Sequence, residues 1–141
     1  MKAEKYLEQI EHSECRISNK IAEIQRLETM AVNISPHLSE IKVSSTPNPH
    51  RAQEVWDRLI DARNELFEEV ESLLVLKREI IQKLEQLPHH EYDVLYRLYV
   101  LMESVQHIAD ETYYSRQTIH RYKHRGLEKI QKMLDARKDV T

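Results

Sequence analysis

The chain has 141 residues, of which one is glycine and four are proline, with 32% charged and 6% aromatic. Glycine normally makes up about 7% of a sequence, and phosphate-cradling loops, dinucleotide turns and tight β-hairpins depend on it, so parallel α/β enzymes and β-sandwiches are excluded and an all-α fold is expected. The net charge of −3 is unevenly spread: residues 113–134 set Arg116, Arg121, Lys123, Arg125, Lys129 and Lys132 against Glu128 alone, an excess of five, residues 135–141 balance, and residues 1–112 carry −8.

A long amphipathic helix is predicted over about residues 3–32. Leu7, Ile10, Ile17, Ile21 and Ile24 follow the three- and four-residue steps of a coiled-coil seam, interrupted at Glu14 and Glu28. Residues 1–5 lack the apolar core of a signal peptide. Cys15 is the only cysteine, which rules out an internal disulfide and fits a reducing, cytoplasmic location. No run of ~18 apolar residues is present, so no membrane span is expected.

Residues 33–49 hold Pro36, Pro47 and Pro49 with several serines, and read as a connector. A second helix is predicted over about residues 50–87. Leu59, Leu66, Leu73, Ile80 and Leu87 recur every seven residues, and Ile60, Phe67, Leu74 and Ile81 run beside them, with Trp56, Val70 and Leu84 widening the stripe. Such a stripe needs cover. Residues 1–87 can fold back as an antiparallel hairpin, or equivalent helices of two chains can pair as a homodimer; the sequence leaves both open.

Pro88 ends the second helix. Residues 88–141 then read as a separate three-helix domain, with helices around 89–101, 104–112 and 115–136 and a core of Val94, Leu95, Leu98, Val105, Ile108, Ala109, Ile119, Leu127, Ile130 and Leu134. Three helices with short joints suit a helix-turn-helix unit. Ser115 is a good N-cap, able to accept from the amide near Thr118. With Ile119 pointing inward, Arg116, Gln117, His120, Arg121 and His124 face outward. Arginine can pair bidentately with guanine and glutamine with adenine. Arg116, Gln117, His120 and Arg121 are therefore the expected base readers of double-stranded DNA. Ser115, Thr118, Lys123, His124 and Arg125 are the expected phosphate contacts, and Tyr114 and Tyr122 are expected to pack.

Other constellations carry less. His120 and His124 have a zinc-compatible spacing, but no cysteine or acid completes the set locally. Cys15 and His12 lie on a solvent-bathed helix that offers no pocket. The acids Glu68, Glu69 and Glu71 read as a solvated face. No metal, no cofactor and no enzymatic activity are expected.

Residues 87–130 resemble the C-terminal helix-turn-helix of bacterial sigma factors, in the variant found in RinA/ArpU-like late transcription regulators of phages and prophages of Gram-positive bacteria. Upstream, Thr29, Met30 and Ala31, residues 43–49, and Leu76, Lys77, Arg78, Glu79 and Ile80 are similar to a family of small Firmicutes phage proteins of poorly defined function. The resemblance implies a recognition helix that opens at Ser115, with Arg116, Gln117, His120 and Arg121 at base-reading positions and Lys123, His124 and Arg125 toward the backbone. It also implies an activator of late genes that touches RNA polymerase. Tyr113 departs from the pattern, since many such turns carry glycine there, and a strained or altered turn is expected. The single glycine, Gly126, falls at a position where sigma-like domains often have a small residue, implying close helix packing. The alternative function is a helical adaptor that docks on RNA polymerase or another phage protein without binding DNA.

Overall fold

The computed structural model describes residues 1–40 and 49–139, and every regular element in them is helical. In chain order these are α1 (Ala3–Glu40), α2 (Pro49–Leu84), α3 (His89–Leu95), a π-helical turn (Tyr96–Val100), α4 (Val105–Glu111) and α5 (Arg116–Asp139). Among the described residues no helix is long and apolar enough to cross a membrane.

The predicted connector over residues 33–49 is shorter than expected. Helix α1 runs on to Glu40, through Pro36. Proline removes one amide donor and usually bends a helix, yet Ala31, Ile34 and Leu38 continue the three- and four-residue spacing that favours helix. Helix α2 opens at Pro49, where the missing amide costs nothing because first-turn amides have no partner inside the helix. The rest of the predicted connector, residues 41–48, lies outside the described residues. At its other end α2 stops at Leu84, three residues before the predicted end. The chain leaves it through a turn in which Gln86 N donates to Lys83 O and Leu87 N to Leu84 O.

Compact units do not divide at residue 88. One unit joins Met1–Ser13 to Leu73–Thr141, and the other is Glu14–Ser72. The start of α1 and the end of α2 thus belong with the C-terminal helices rather than with a separate N-terminal domain. Burial explains the regrouping: Leu7, Ile10, Ile80 and Leu84 are fully buried, and each such side chain contributes roughly 1.5–3 kcal/mol. Polar ties reinforce it. Ala3 N donates to Gln131 Oε1 at 2.8 Å, Gln131 Nε2 donates to Met1 O at 3.3 Å, and Arg137 meets Glu79 at 2.7 Å.

Within the first unit, α3, α4 and α5 close around Val94, Ile108 and Ile119. Leu98, Val105, Ala109, Tyr114 and Tyr122 pack against this cluster. The π-helical turn is marked by Leu101 N donating to Tyr96 O at 3.0 Å. Met102 follows with φ 57°, the one non-glycine residue at positive φ among those described. Backbone strain in this region therefore sits at Met102, ahead of α4, and not at Tyr113.

In the second unit, segments of α1 and α2 lie antiparallel. Arg16 meets Glu69 at 2.9 Å, Lys20 meets Glu65 at 2.6 Å, and Glu28 meets Arg63 at 2.9 Å. Advance along α1 is thus matched by retreat along α2. Between the helices Ile24, Leu27, Leu59 and Ala62 form a buried cluster flanked by Met30 and Leu66. The exposed ion pairs add at most about 1 kcal/mol each, so the apolar cluster carries most of the stability here.

Candidate nucleic-acid interface

The site is built on the joint between α4 and α5. Ser104 caps α4, its Oγ accepting from His107 N at 3.1 Å. Thr112 ends it: its Oγ1 donates to Ile108 O at 2.6 Å and accepts from Tyr114 N at 3.2 Å. One threonine side chain thereby fixes both the exit from α4 and the turn that follows. Thr112 is extended, with φ −120° and ψ 175°, so the turn needs no left-handed residue and no glycine. Tyr113 stands fully exposed in that turn. Tyr113 has no positive φ, so the expected strain is absent at the tyrosine.

Ser115 opens α5. Its Oγ accepts from Thr118 N at 3.1 Å and lies 2.9 Å from Thr118 Oγ1. A cap of this kind is worth about 1 kcal/mol, and it fixes the rotation of the helix that follows. Ile119 is completely buried, which turns Arg116, Gln117, His120 and Arg121 to solvent. None of the four has a carboxylate within ion-pair or hydrogen-bond reach among the described residues. Arg121 does lie against the Tyr122 ring, at 5.5 Å from its centroid.

The candidate phosphate contacts divide. Arg125 is exposed and free of carboxylates, and Thr118 is half-buried. Lys123 Nζ lies 3.6 Å from Glu4 Oε1, and His124 Nε2 lies 3.0 Å from Glu128 Oε1. Ser115 has its hydroxyl committed to the cap. Further along, Lys129 reaches both oxygens of Glu91, at 3.0 and 2.7 Å, and Glu91 is buried. Two of the six cations in residues 113–134 are thus neutralised inside the first unit. Arg116, Arg121, Arg125 and Lys132 remain as the unpaired positive charge of α5.

Several contacts were not foreseeable from local spacing. Tyr114 and Tyr122 pack as expected, but they do so with His90, whose ring stacks on Tyr122 at 5.3 Å and whose Nδ1 lies 2.7 Å from the Tyr114 hydroxyl. Burial raises the Tyr114 pKa, keeping the phenol neutral and able to donate. Arg97 binds Asp93 at 3.1 Å, Glu103 at 3.2 Å and Glu111 at 3.5 Å. The hydrogen bond that its Nε donates to Asp93 is the leading cause holding this guanidinium above its ordinary pKa. Glu103, His107 and Glu111 offer ligand atoms within 4.8 Å of one another, the geometry a metal ion would need. Arg97 already supplies the positive charge those carboxylates require, so the group is satisfied as an ion-pair network. Its four-residue spacing along the chain was the available signal. His120 and His124 join no such group among the described residues.

Chemically, the arrangement presents a rigid, capped helix with guanidinium, amide and imidazole donors on one solvent-facing side and unpaired arginines nearby. Such a surface can bind phosphates and base edges. No protein-family model, curated protein or solved structure matches the chain.

Proposed function

We propose that the chain is a non-enzymatic, sequence-specific DNA-binding regulator of transcription. In this reading the antiparallel segments of α1 and α2 in the second unit supply a helical hairpin, and α3, α4 and α5 act as a helix-turn-helix similar to that of sigma factors and of phage and prophage late regulators. It works in the cytoplasm of a bacterial host, with RNA polymerase as a further partner. Helix α5 enters the major groove by its N-terminal half. Arg116, Gln117, His120 and Arg121 read base edges, while Thr118 and Arg125 hold phosphates.

One observation carries the reading: Arg116, Gln117, His120 and Arg121 are solvent-facing on a helix whose opposite side is anchored by fully buried Ile119. Side chains that merely stabilised the fold would find acids, as Lys123, Lys129 and Arg97 do. Fluorescence anisotropy with duplex DNA across a salt series tests it. Binding weakens linearly on a log–log scale as counterions are released, and Arg125→Ala lowers the slope by about 1. A chain that retains no duplex at near-physiological salt is instead the helical adaptor, and the DNA reading fails.

A further inference from the structure

The pairing of α1 with α2 leaves one apolar side of the second unit uncovered. Trp56, Ile60 and Phe67 are 46%, 53% and 64% exposed, and each presents on the order of 100 Å² of side chain to solvent. Steps of four and seven residues put them on one side of α2, with partly exposed Val70 beside them. Helix α1 adds to the same side. Glu28 meets Arg63 at 2.9 Å. Exposed Ile21 lies two turns before Glu28, and Arg63 lies two turns from both Trp56 and Val70. Contiguous apolar patches of this kind mark interaction sites on soluble proteins.

The bordering charges decide what fits. Where α2 meets α1 away from the patch, its acids are matched, Glu65 by Lys20 and Glu69 by Arg16. On the free border of the patch Asp61, Glu68 and Glu71 have no cation in ion-pair range among the described residues. Pairing with the same face of a second copy brings no free cation to this border. Arg51 and Arg58 lie on the side of α2 away from Phe67 and Arg26 on the side of α1 away from buried Ile24, Arg63 is held by Glu28, and Arg16 and Lys20 are held by Glu69 and Glu65.

We propose that this face docks an amphipathic helix of another protein. The apolar stripe of that helix covers Trp56, Ile60 and Phe67, and its lysine or arginine flank meets Asp61, Glu68 and Glu71. The proposal is independent of DNA binding by α5.

Trp56 is the only tryptophan in the chain, so its emission reports occupancy of the face. The full-length protein is titrated, at near-physiological salt, with two synthetic helical peptides that share one leucine stripe. One is flanked by lysines and the other by glutamates. The lysine-flanked peptide is expected to shift Trp56 emission to the blue and to bind at least ~10-fold more tightly. Phe67→Ser, and separately the pair Glu68→Lys and Glu71→Lys, are expected to weaken it by ~10-fold with the thermal melt unchanged. Equal binding of the two peptides, or full affinity in these variants, overturns the proposal. So does sedimentation of the wild type alone as a dimer that Phe67→Ser converts to monomer, since a second copy would then own the face.

Discussion

Gly126 sits where α5 passes α3 so closely that a methyl group added there would lie 2.6 Å from Leu95 Cδ1 and 3.1 Å from Leu95 Cγ. Leu95 is completely buried, so its side chain gives way only by shifting its own neighbours in a close-packed interior. Alanine in a helix interior is favoured over glycine by about 1 kcal/mol, whereas overpacking a filled core costs about 1–3 kcal/mol. The second effect wins here. Gly126→Ala is expected to lower stability by about 1 kcal/mol in urea denaturation, and adding Leu95→Val, which shortens the obstructing side chain, is expected to recover part of the loss. A gain of stability in Gly126→Ala alone would show that α3 and α5 are not in such close contact. The close packing implied by the family resemblance is therefore traceable to one pair of residues, and a sequence can name only the glycine.

At the scale of elements, the first turn of α1 is held to the C-terminal helices by a neutral phenol as well as by the Glu4–Lys123 ion pair. Tyr99 donates to Glu4 Oε1 at 3.3 Å, and its pKa is raised well above the ordinary 10, first by burial and then by the negative charge of Glu4. Burial also raises Tyr6, whose ring lies 5.3 Å from Lys83 Nζ. A phenol that is a weaker acid folded than unfolded does not diminish stability below its unfolded pKa. Above about pH 10 the unfolded chain ionises first, and stability falls as pH rises toward the folded value. Melting temperature is therefore expected to drop between pH 10 and 12, and Tyr99→Phe is expected to flatten that drop. An equally steep decline in Tyr99→Phe would remove Tyr99 from the cause. These ties also show what sequence reading could reach. The cap at Ser115, the inward Ile119 and the outward Arg116 and Gln117 were legible because capping and helical period act within a few residues. Glu4 with Lys123, Glu91 with Lys129 and Ala3 with Gln131 were not, since the partners are far apart in the chain. The wide stripe of α2 was legible as apolar, but its period marks Leu59 and Ile60 alike; only α1 decides that Leu59 is covered and Ile60 is not.

Taken whole, the molecule consists of two compact units, each with a distinct surface. The first unit carries the unpaired arginines of α5 at its capped N-terminal half, and the second carries an apolar face bordered by unmatched acids. The charge asymmetry of the chain is divided between these surfaces: the positive excess lies on α5, and the negative excess lies partly on the acid border of the second unit. The central claim is that Arg116 and Gln117 read bases. Its most direct test is selection from random DNA duplexes at near-physiological salt, with wild type, Arg116→Ala and Gln117→Ala in parallel. The wild type is expected to enrich a defined motif, and each variant to lose preference at its own position by about 1–3 kcal/mol. Enrichment of the same motif with undiminished preference in both variants, or of no motif by the wild type, would contradict the assignment of α5 to the major groove.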